Sequence, residues 1–181
     1  MICMVSLLAS AQDFGDQPGD EFGSIGERIY SKGVIAFKNE DYEKALRFFK
    51  DAADQRYPLA YYMLGHMYHF GKGVDQDYRT ALTWYKRAAS GGHWIAAYNA
   101  GMFYENGMGI ERDYKQAYDY YFMAAEHGDM DEAQRVLGGM YLSGRGIEQD
   151  YEQAEHWTRL AVARNNPRAM YNLGIMYKQG L

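Results

Sequence analysis

The sequence predicts an all-α solenoid of stacked antiparallel helix pairs. Three observations carry that expectation. The string Asp-Tyr-x-x-Ala recurs from Asp41, Asp77, Asp113 and Asp150, in steps of 36, 36 and 37 residues. Further ladders keep the same register: Ala52, Ala88, Ala124 and Ala161; Ala60, Ala96, Ala133 and Ala169; Gly65, Gly101, Gly138 and Gly174; Tyr68, Tyr104, Tyr141 and Tyr177. A Gly-x-Gly pair followed by Val74, Ile110 or Ile147 then closes three of the copies. Periodicity of this kind marks a repeat array, in which each unit buries its apolar faces only by stacking on its neighbours.

The elements follow in chain order. Ile2 to Ala9 are apolar, and Ala9-Ser10-Ala11-Gln12 reads like a small-x-small signal-peptidase site. Residues 1–11 are therefore expected to be a truncated signal peptide, and the compartment periplasmic or extracellular. A frayed apolar tail on a cytoplasmic chain is the alternative, because this stretch is short and has no Lys or Arg. An upstream start would repair both defects. Residues 12–25 are rich in Gly, Asp and Pro, lack a period, and read as a flexible lead-in.

Each unit then reads as two helices, A and B. In the best copies, helix A is expected from about Ala60 to Phe70, with Leu64, Met67 and Tyr68 on one stripe. The small residues Ala60 and Gly65 let a neighbouring helix approach closely. Gly71 and Gly73 stop the helix, since glycine reaches the left-handed conformation of a C-cap without a Cβ clash. Val74 plugs the loop back into the core. Asp77 caps helix B, expected from about Tyr78 to Ala89, with Ala81, Trp84, Tyr85, Ala88 and Ala89 buried. Gln116 after Asp113 and Gln153 after Asp150 come close to a capping box. The 37-residue step arises from one extra residue between Gly128 and Ala133.

These residues resemble the Sel1-like repeat, a 36-residue relative of the tetratricopeptide repeat (TPR). The resemblance covers 60–95, 96–132 and 133–168, then a partial copy over 169–181. In the third copy Arg135-Val136 replaces the usual Tyr-Asn. Residues 26–59 lack the Gly-x-Gly insertion and turn tightly at Asn39-Glu40-Asp41, like a plain TPR unit. The resemblance implies a right-handed α/α superhelical solenoid. It also implies an adaptor or scaffold protein, of a kind often exported in bacteria. Some relatives carry β-lactamase or penicillin-binding labels.

Composition narrows the function. The chain has 19 Lys+Arg, 24 Asp+Glu and no basic block, so electrostatic capture of nucleic acid is not expected. The longest apolar run falls well below the roughly 20 residues of a membrane-spanning helix. Cys3 is the single cysteine, so no internal disulfide can form. No catalytic residue or cofactor is assigned. The Ser-x-x-Lys, Ser-Asp-Asn and Lys-Thr-Gly elements of serine acyl-enzymes are absent. The Gly-x-Gly pairs follow helices and lack a third glycine, so they are not nucleotide loops. His66 and His69 share a helix face at i, i+3, with Glu105 the nearest further ligand by repeat geometry. Two imidazoles do not make a metal site, and both read as exposed, variable positions. His93, His127 and His156 read as isolated surface or partly packed residues.

The resemblance implies that A helices line a concave groove, with residues three before, one after and four after the ladder glycine facing it. That selects Tyr30, Val34 and Phe37; Tyr62, His66 and His69; Tyr98, Met102 and Glu105; Arg135, Gly139 and Leu142; and Tyr171, Ile175 and Lys178. Asn99 and Asn172 are placed to hydrogen-bond an extended backbone. Tyrosine suits such a surface, joining large apolar area to a polar tip at low entropic cost. Tyr68, Tyr104, Tyr141 and Tyr177 read as core. The leading expectation is a groove that binds a peptide or partner segment. The alternatives are a cell-wall or β-lactam hydrolase, resting on family labels alone, and an accessory or inhibitor subunit. That subunit would dock by its convex face through Arg79, Lys86, Arg87, Lys115 and Arg159. The last A helix presents Leu173, Met176 and Tyr177 without a following B helix. Continuation of the chain, or self-association through this edge, would cover them.

Overall fold

The computed structural model describes residues 24–180. The expected signal peptide, Cys3 and nearly all of the lead-in lie outside the described residues. Among those residues there are nine helices and no strand. They are α1 (Ile25–Lys38), α2 (Tyr42–Asp54), α3 (Pro58–Phe70), α4 (Tyr78–Ser90), α5 (Trp94–Asn106), α6 (Tyr114–Glu126), α7 (Asp131–Ser143), α8 (Tyr151–Ala163) and α9 (Pro167–Gln179). Odd-numbered helices are A and even-numbered ones B. Each packs on the helix before and after it in the chain, giving a right-handed superhelical solenoid of antiparallel pairs.

Helix A of the second unit begins at Pro58, two residues before the expected start. Proline fits there because its fixed φ is helical and its missing N–H has no intrahelical partner in the first turn. Pro167 opens α9 in the same way. Helix B starts are set by aspartate. Asp77 accepts from the Arg79 and Thr80 N–H groups, Asp113 from Lys115 and Gln116, and Asp150 from Gln153. The reciprocal half of the capping box does not form at Asp113 or Asp150. Their own N–H groups donate instead across the loop, to the Tyr104 and Tyr141 carbonyls at 3.0 and 3.1 Å.

The two loop glycines do different jobs. Gly71, Gly107 and Gly144 are left-handed C-caps with φ of 63°, 68° and 66°. Gly73, Gly109 and Gly146 also have positive φ, and they lie against the start of the preceding unit's helix B. A Cβ on Gly73 would sit 2.5 Å from the Tyr42 carbonyl carbon, and one on Gly146 2.5 Å from the Tyr114 oxygen. The pair therefore ends one helix and docks the loop onto the previous unit. The first unit has no such loop and turns through Asn39 to Asp41, with Glu40 at φ 60°.

The alanine ladders are fully buried: Ala52, Ala88, Ala124, Ala161, Ala60, Ala96, Ala133 and Ala169 each have no exposed surface. The ladder glycine sits under the middle of its own helix B. A Cβ on Gly33 would lie 2.6 Å from the Phe49 ring, on Gly65 2.6 Å from Tyr85, and on Gly101 2.8 Å from Tyr121. At Gly138 the opposing group is the Thr158 hydroxyl, 2.4 Å away. At Gly174 nothing lies within 4 Å.

The tyrosine ladder is less uniform than its periodicity predicts. Tyr104 is buried, Tyr68 and Tyr141 are half-buried, and Tyr177 is 52% exposed. The rings of Tyr104, Tyr141 and Tyr177 reach back to the preceding helix B, where their hydroxyls find polar partners. Lys86 donates to Tyr104, Tyr118 pairs with Tyr141 at 2.8 Å, and Tyr177 meets Arg159 and Glu155. Met176 is buried against the array, whereas Leu173 is half-buried.

Two substitutions at one repeat position should move stability in opposite directions. Gly65→Ala drives a methyl into the Tyr85 ring and should cost about 1–3 kcal/mol. Gly174→Ala meets open space and should gain about 0.5–1 kcal/mol of helix propensity. Urea denaturation followed by circular dichroism reads both.

Candidate functional site

Side chains of successive A helices meet and form one continuous face. Phe37 of α1 packs edge-on to His66 of α3 at 5.7 Å, and His69 of α3 packs on Phe103 of α5 at 4.8 Å. Tyr98 and Glu105 of α5 face Arg135 of α7, and Glu132 of α7 pairs with Arg168 of α9 at 3.5 Å. The face divides into an aromatic first half and a charged second half.

The first half is more enclosed than the residue pattern predicts. Tyr62 is 5% exposed and His69 9%. Neither lies open on a groove, and the reading of His66 and His69 as exposed positions is corrected. Tyr62 is covered by the His93 ring, stacked at 4.3 Å. His69 lies between Phe70, Tyr78 and Phe103, with its Nδ1 3.3 Å from the Tyr85 hydroxyl. The Asn99 amide stands beside the same hydroxyl. His66 packs between Phe37 and Phe70, and its buried Nδ1 has no hydrogen-bond partner. Tyr30 is half-buried against Phe49 and Tyr57. Phe70 is 53% exposed and adds an open aromatic surface that the three-position pattern missed.

His93 is buried as well. It is the N-cap of α5, its Nδ1 accepting from the Ala96 N–H at 3.2 Å, so the neutral ring carries its proton on Nε2. Burial lowers the pKa of His66 to about 4, with His69 and Lys72 adding to the effect. Burial alone lowers His93 to about 4, and it lowers His69 too. His127 and His156 are exposed.

A rule links the surface to the scaffold. In the first three units the residue four after the ladder glycine lies against the helix-B ring that covers that glycine. Tyr85 reaches His69, and Tyr121 donates to Glu105 at 2.6 Å. Phe49 has no hydroxyl, and the matching Phe37 is apolar, 6.5 Å from it between ring centres. Where the ring carries a hydroxyl, a polar residue stands at the surface position.

The second half is ionic. Glu132 accepts from Arg135 at 2.8 Å, with Arg168 and Asn166 beside it, and Arg135 holds the Glu132 carboxyl below the ordinary range. Glu105 takes Arg145 at 3.6 Å in addition to Tyr121. It is thus engaged away from His66 and His69, and among the described residues no group of three His, Cys, Asp or Glu side chains converges on a metal position. Met102 is half-buried, Tyr171 is 71% exposed, Asn172 is half-buried and Lys178 is exposed. Glu132 and Arg168 were missed by counting. They lie six before their ladder glycines, one turn beyond the innermost position counted, and extending the pattern by that turn finds them.

Comparison with known proteins follows the same register. The family model described as Sel1 repeat matches residues 25–57, 58–93, 94–129, 131–166 and 167–181. It includes the first unit, which lacks the glycine loop. The structure of a protective antigen present in uropathogenic Escherichia coli strains, displaying an SLR fold, is 35% identical with a TM-score of 0.83, over 86% of this chain and 34% of that one. The structure of a Sel1 repeat protein from Oxalobacter formigenes is 31% identical with a TM-score of 0.76, over 84% of this chain and 60% of that one. HcpD of Helicobacter pylori, named a beta-lactamase, is 40% identical over 53 residues, which is 29% of this chain and 17% of that one. The chain thus spans less than two thirds of each of these proteins.

Acid should weaken the aromatic half. Between pH 6.5 and 4 the unfolded chain binds protons at His66 and His93 that the folded chain refuses, so stability is full above pH 6.5 and falls as pH drops toward 4. The expected loss is on the order of 2–3 kcal/mol per histidine. Urea midpoints at pH 7.5 and pH 5 should fall less for a His66→Gln, His93→Asn double variant than for the natural chain, because Asn keeps the cap but does not titrate.

Proposed function

The chain belongs to the Sel1 repeat family, whose members generally mediate protein–protein interaction, and from that premise we propose that it is a non-enzymatic adaptor. Its partner segment lies along the concave A-helix face. The observation that carries this reading is a row of side chains that keep open surface along this face. Phe70 and Tyr171 are more than half exposed, and Tyr98, Met102 and Arg135 are half-buried between them. Large aromatics of this kind, with an arginine among them, are the residues that carry binding energy at protein interfaces.

The convex face offers less. Arg87 is already stacked over Tyr61 at 4.4 Å, Lys86 donates to Tyr104, and Arg159 pairs with Glu155. That leaves Arg79 and Lys115 as the uncommitted cations among the convex residues selected from sequence. The β-lactamase name belongs to HcpD. This sequence lacks the serine motifs such chemistry needs.

Quantitative capture from host extract separates the surfaces. A Phe70→Ala, Tyr171→Ala variant should lose the natural chain's specific partners, while Arg79→Glu, Lys115→Glu should retain them. Loss by the second pair and retention by the first would move the interface to the convex side. Nitrocefin turnover should not exceed the protein-free rate.

A further inference from the structure

The first unit differs from the others on the edge turned away from the array. At three repeat positions the later units bury small or apolar side chains: Ala60, Ala96, Ala133 and Ala169; Leu64, Ala100 and Leu137; Met67, Phe103, Met140 and Met176. The matching residues of α1 are Arg28, Lys32 and Ile35, all exposed, with Ile35 at 60%. No unit precedes α1 among the described residues. An open hollow of about 310 Å³ lies there, between Lys32, Ile35 and Ala36 of α1 and Lys44 and Phe48 of α2. Asp41 also lines it, but its carboxylate accepts from the Lys44 N–H as the cap of α2. The edge thus has an apolar floor and a basic rim. Ile25, at the start of α1, is a further open apolar residue at 59%.

We propose that this hollow is a docking site for the chain's own residues 13–22. That stretch reads Asp-Phe-Gly-Asp-Gln-Pro-Gly-Asp-Glu-Phe, with two phenylalanines, four carboxylates and no Lys or Arg. Its composition complements the edge. Phe14 suits Ile35 and Phe48, Phe22 suits Ile25, and the carboxylates meet Arg28, Lys32 and Lys44. The segment is long enough to reach. From Ile25 to Ile35 the helix advances about 15 Å, which about five extended residues span, and Phe14 lies ten residues before Ser24. Apolar burial supplies the affinity, while the charges set the direction and exclude a basic segment. Later units close the same face by stacking on the unit before them, so the segment takes the place of that neighbour and caps the array. The site lies at the end of the solenoid and is independent of the concave face.

Carbodiimide cross-linking of the full chain, read by mass spectrometry, tests the contact because it joins a carboxylate to an amine without a spacer. Links from Asp13, Asp16, Asp20 or Glu21 should fall on Lys32 and Lys44 in preference to Lys38 and Lys50, which are exposed but do not line the hollow. Phe14→Ser, Phe22→Ser leaves every carboxylate and lysine in place and should lower the yield of these links about tenfold. Ile35→Ser should do the same from the other side of the contact. Its circular dichroism should match that of the natural chain, because the residue it replaces is exposed. In a mixture of isotopically light and heavy copies the links should lie within one chain. Absence of links, an even spread over the four lysines, or yields that both variants leave unchanged overturns the proposal. Links found only between copies also overturn it and give the edge to a second molecule.

Discussion

The array depends on one close approach, that of each A helix to its own B helix across a residue with no side chain. Gly33, Gly65 and Gly101 lie so near Phe49, Tyr85 and Tyr121 that a single methyl would overlap the ring. The same contact conveys information outward. Because the ring passes over a bare glycine, its hydroxyl emerges on the A-helix face, where Tyr85 meets His69 and Tyr121 meets Glu105. In these two units the buried helix-B tyrosine thus supplies the hydroxyl that meets the polar group on the A-helix face. Scaffold and A-helix face are therefore coupled in these two units. A change of Tyr121 would leave the Glu105 carboxylate with Arg145 as its remaining partner, at 3.6 Å.

The Gly-x-Gly loop extends that coupling from unit to unit. Its first glycine ends helix A, and its second rests on the backbone that opens the previous helix B. Loop, cap and neighbouring helix are then fixed together, with Asp77, Asp113 and Asp150 tied to helix-A carbonyls from Tyr68, Tyr104 and Tyr141. A solenoid has few long-range contacts, so nearest-neighbour ties of this kind set its stability.

Most of the architecture was legible because the repeat was. Residues of one ladder share an environment, and the alanines, loop glycines and aspartate caps each follow from spacing and elementary conformational preference. The burial of individual A-helix residues was not legible from spacing. His69 and Lys178 occupy the same repeat position, yet one is enclosed by Tyr78, Tyr85 and Phe103 and the other is exposed. The difference lies in what the neighbouring helix B contributes, and α9 has none after it among the described residues. A signal was present in pairs of positions rather than single ones: Phe37 with Phe49, His69 with Tyr85, Glu105 with Tyr121. The burial of His69 follows from the same pairing, since a neutral imidazole is a polar group that an aromatic pocket with one hydroxyl can hold at low cost.

The two halves of the inner face hold their side chains differently. In the aromatic half the rings are already packed on each other, so the surface left open is mainly that of Phe70 with the edges of Phe37 and His66. In the charged half, exposed pairs such as Arg168 with Glu132 contribute little to stability, because solvent screens them and flexible side chains resist ordering. Their arginines can therefore move with small loss to the fold. Glu132 keeps Arg135 and Asn166 when Arg168 leaves, so no carboxylate is stranded. With Arg135 and Asn166 as well as Arg168 on Glu132, one ion pair can break without leaving a half-buried charge alone.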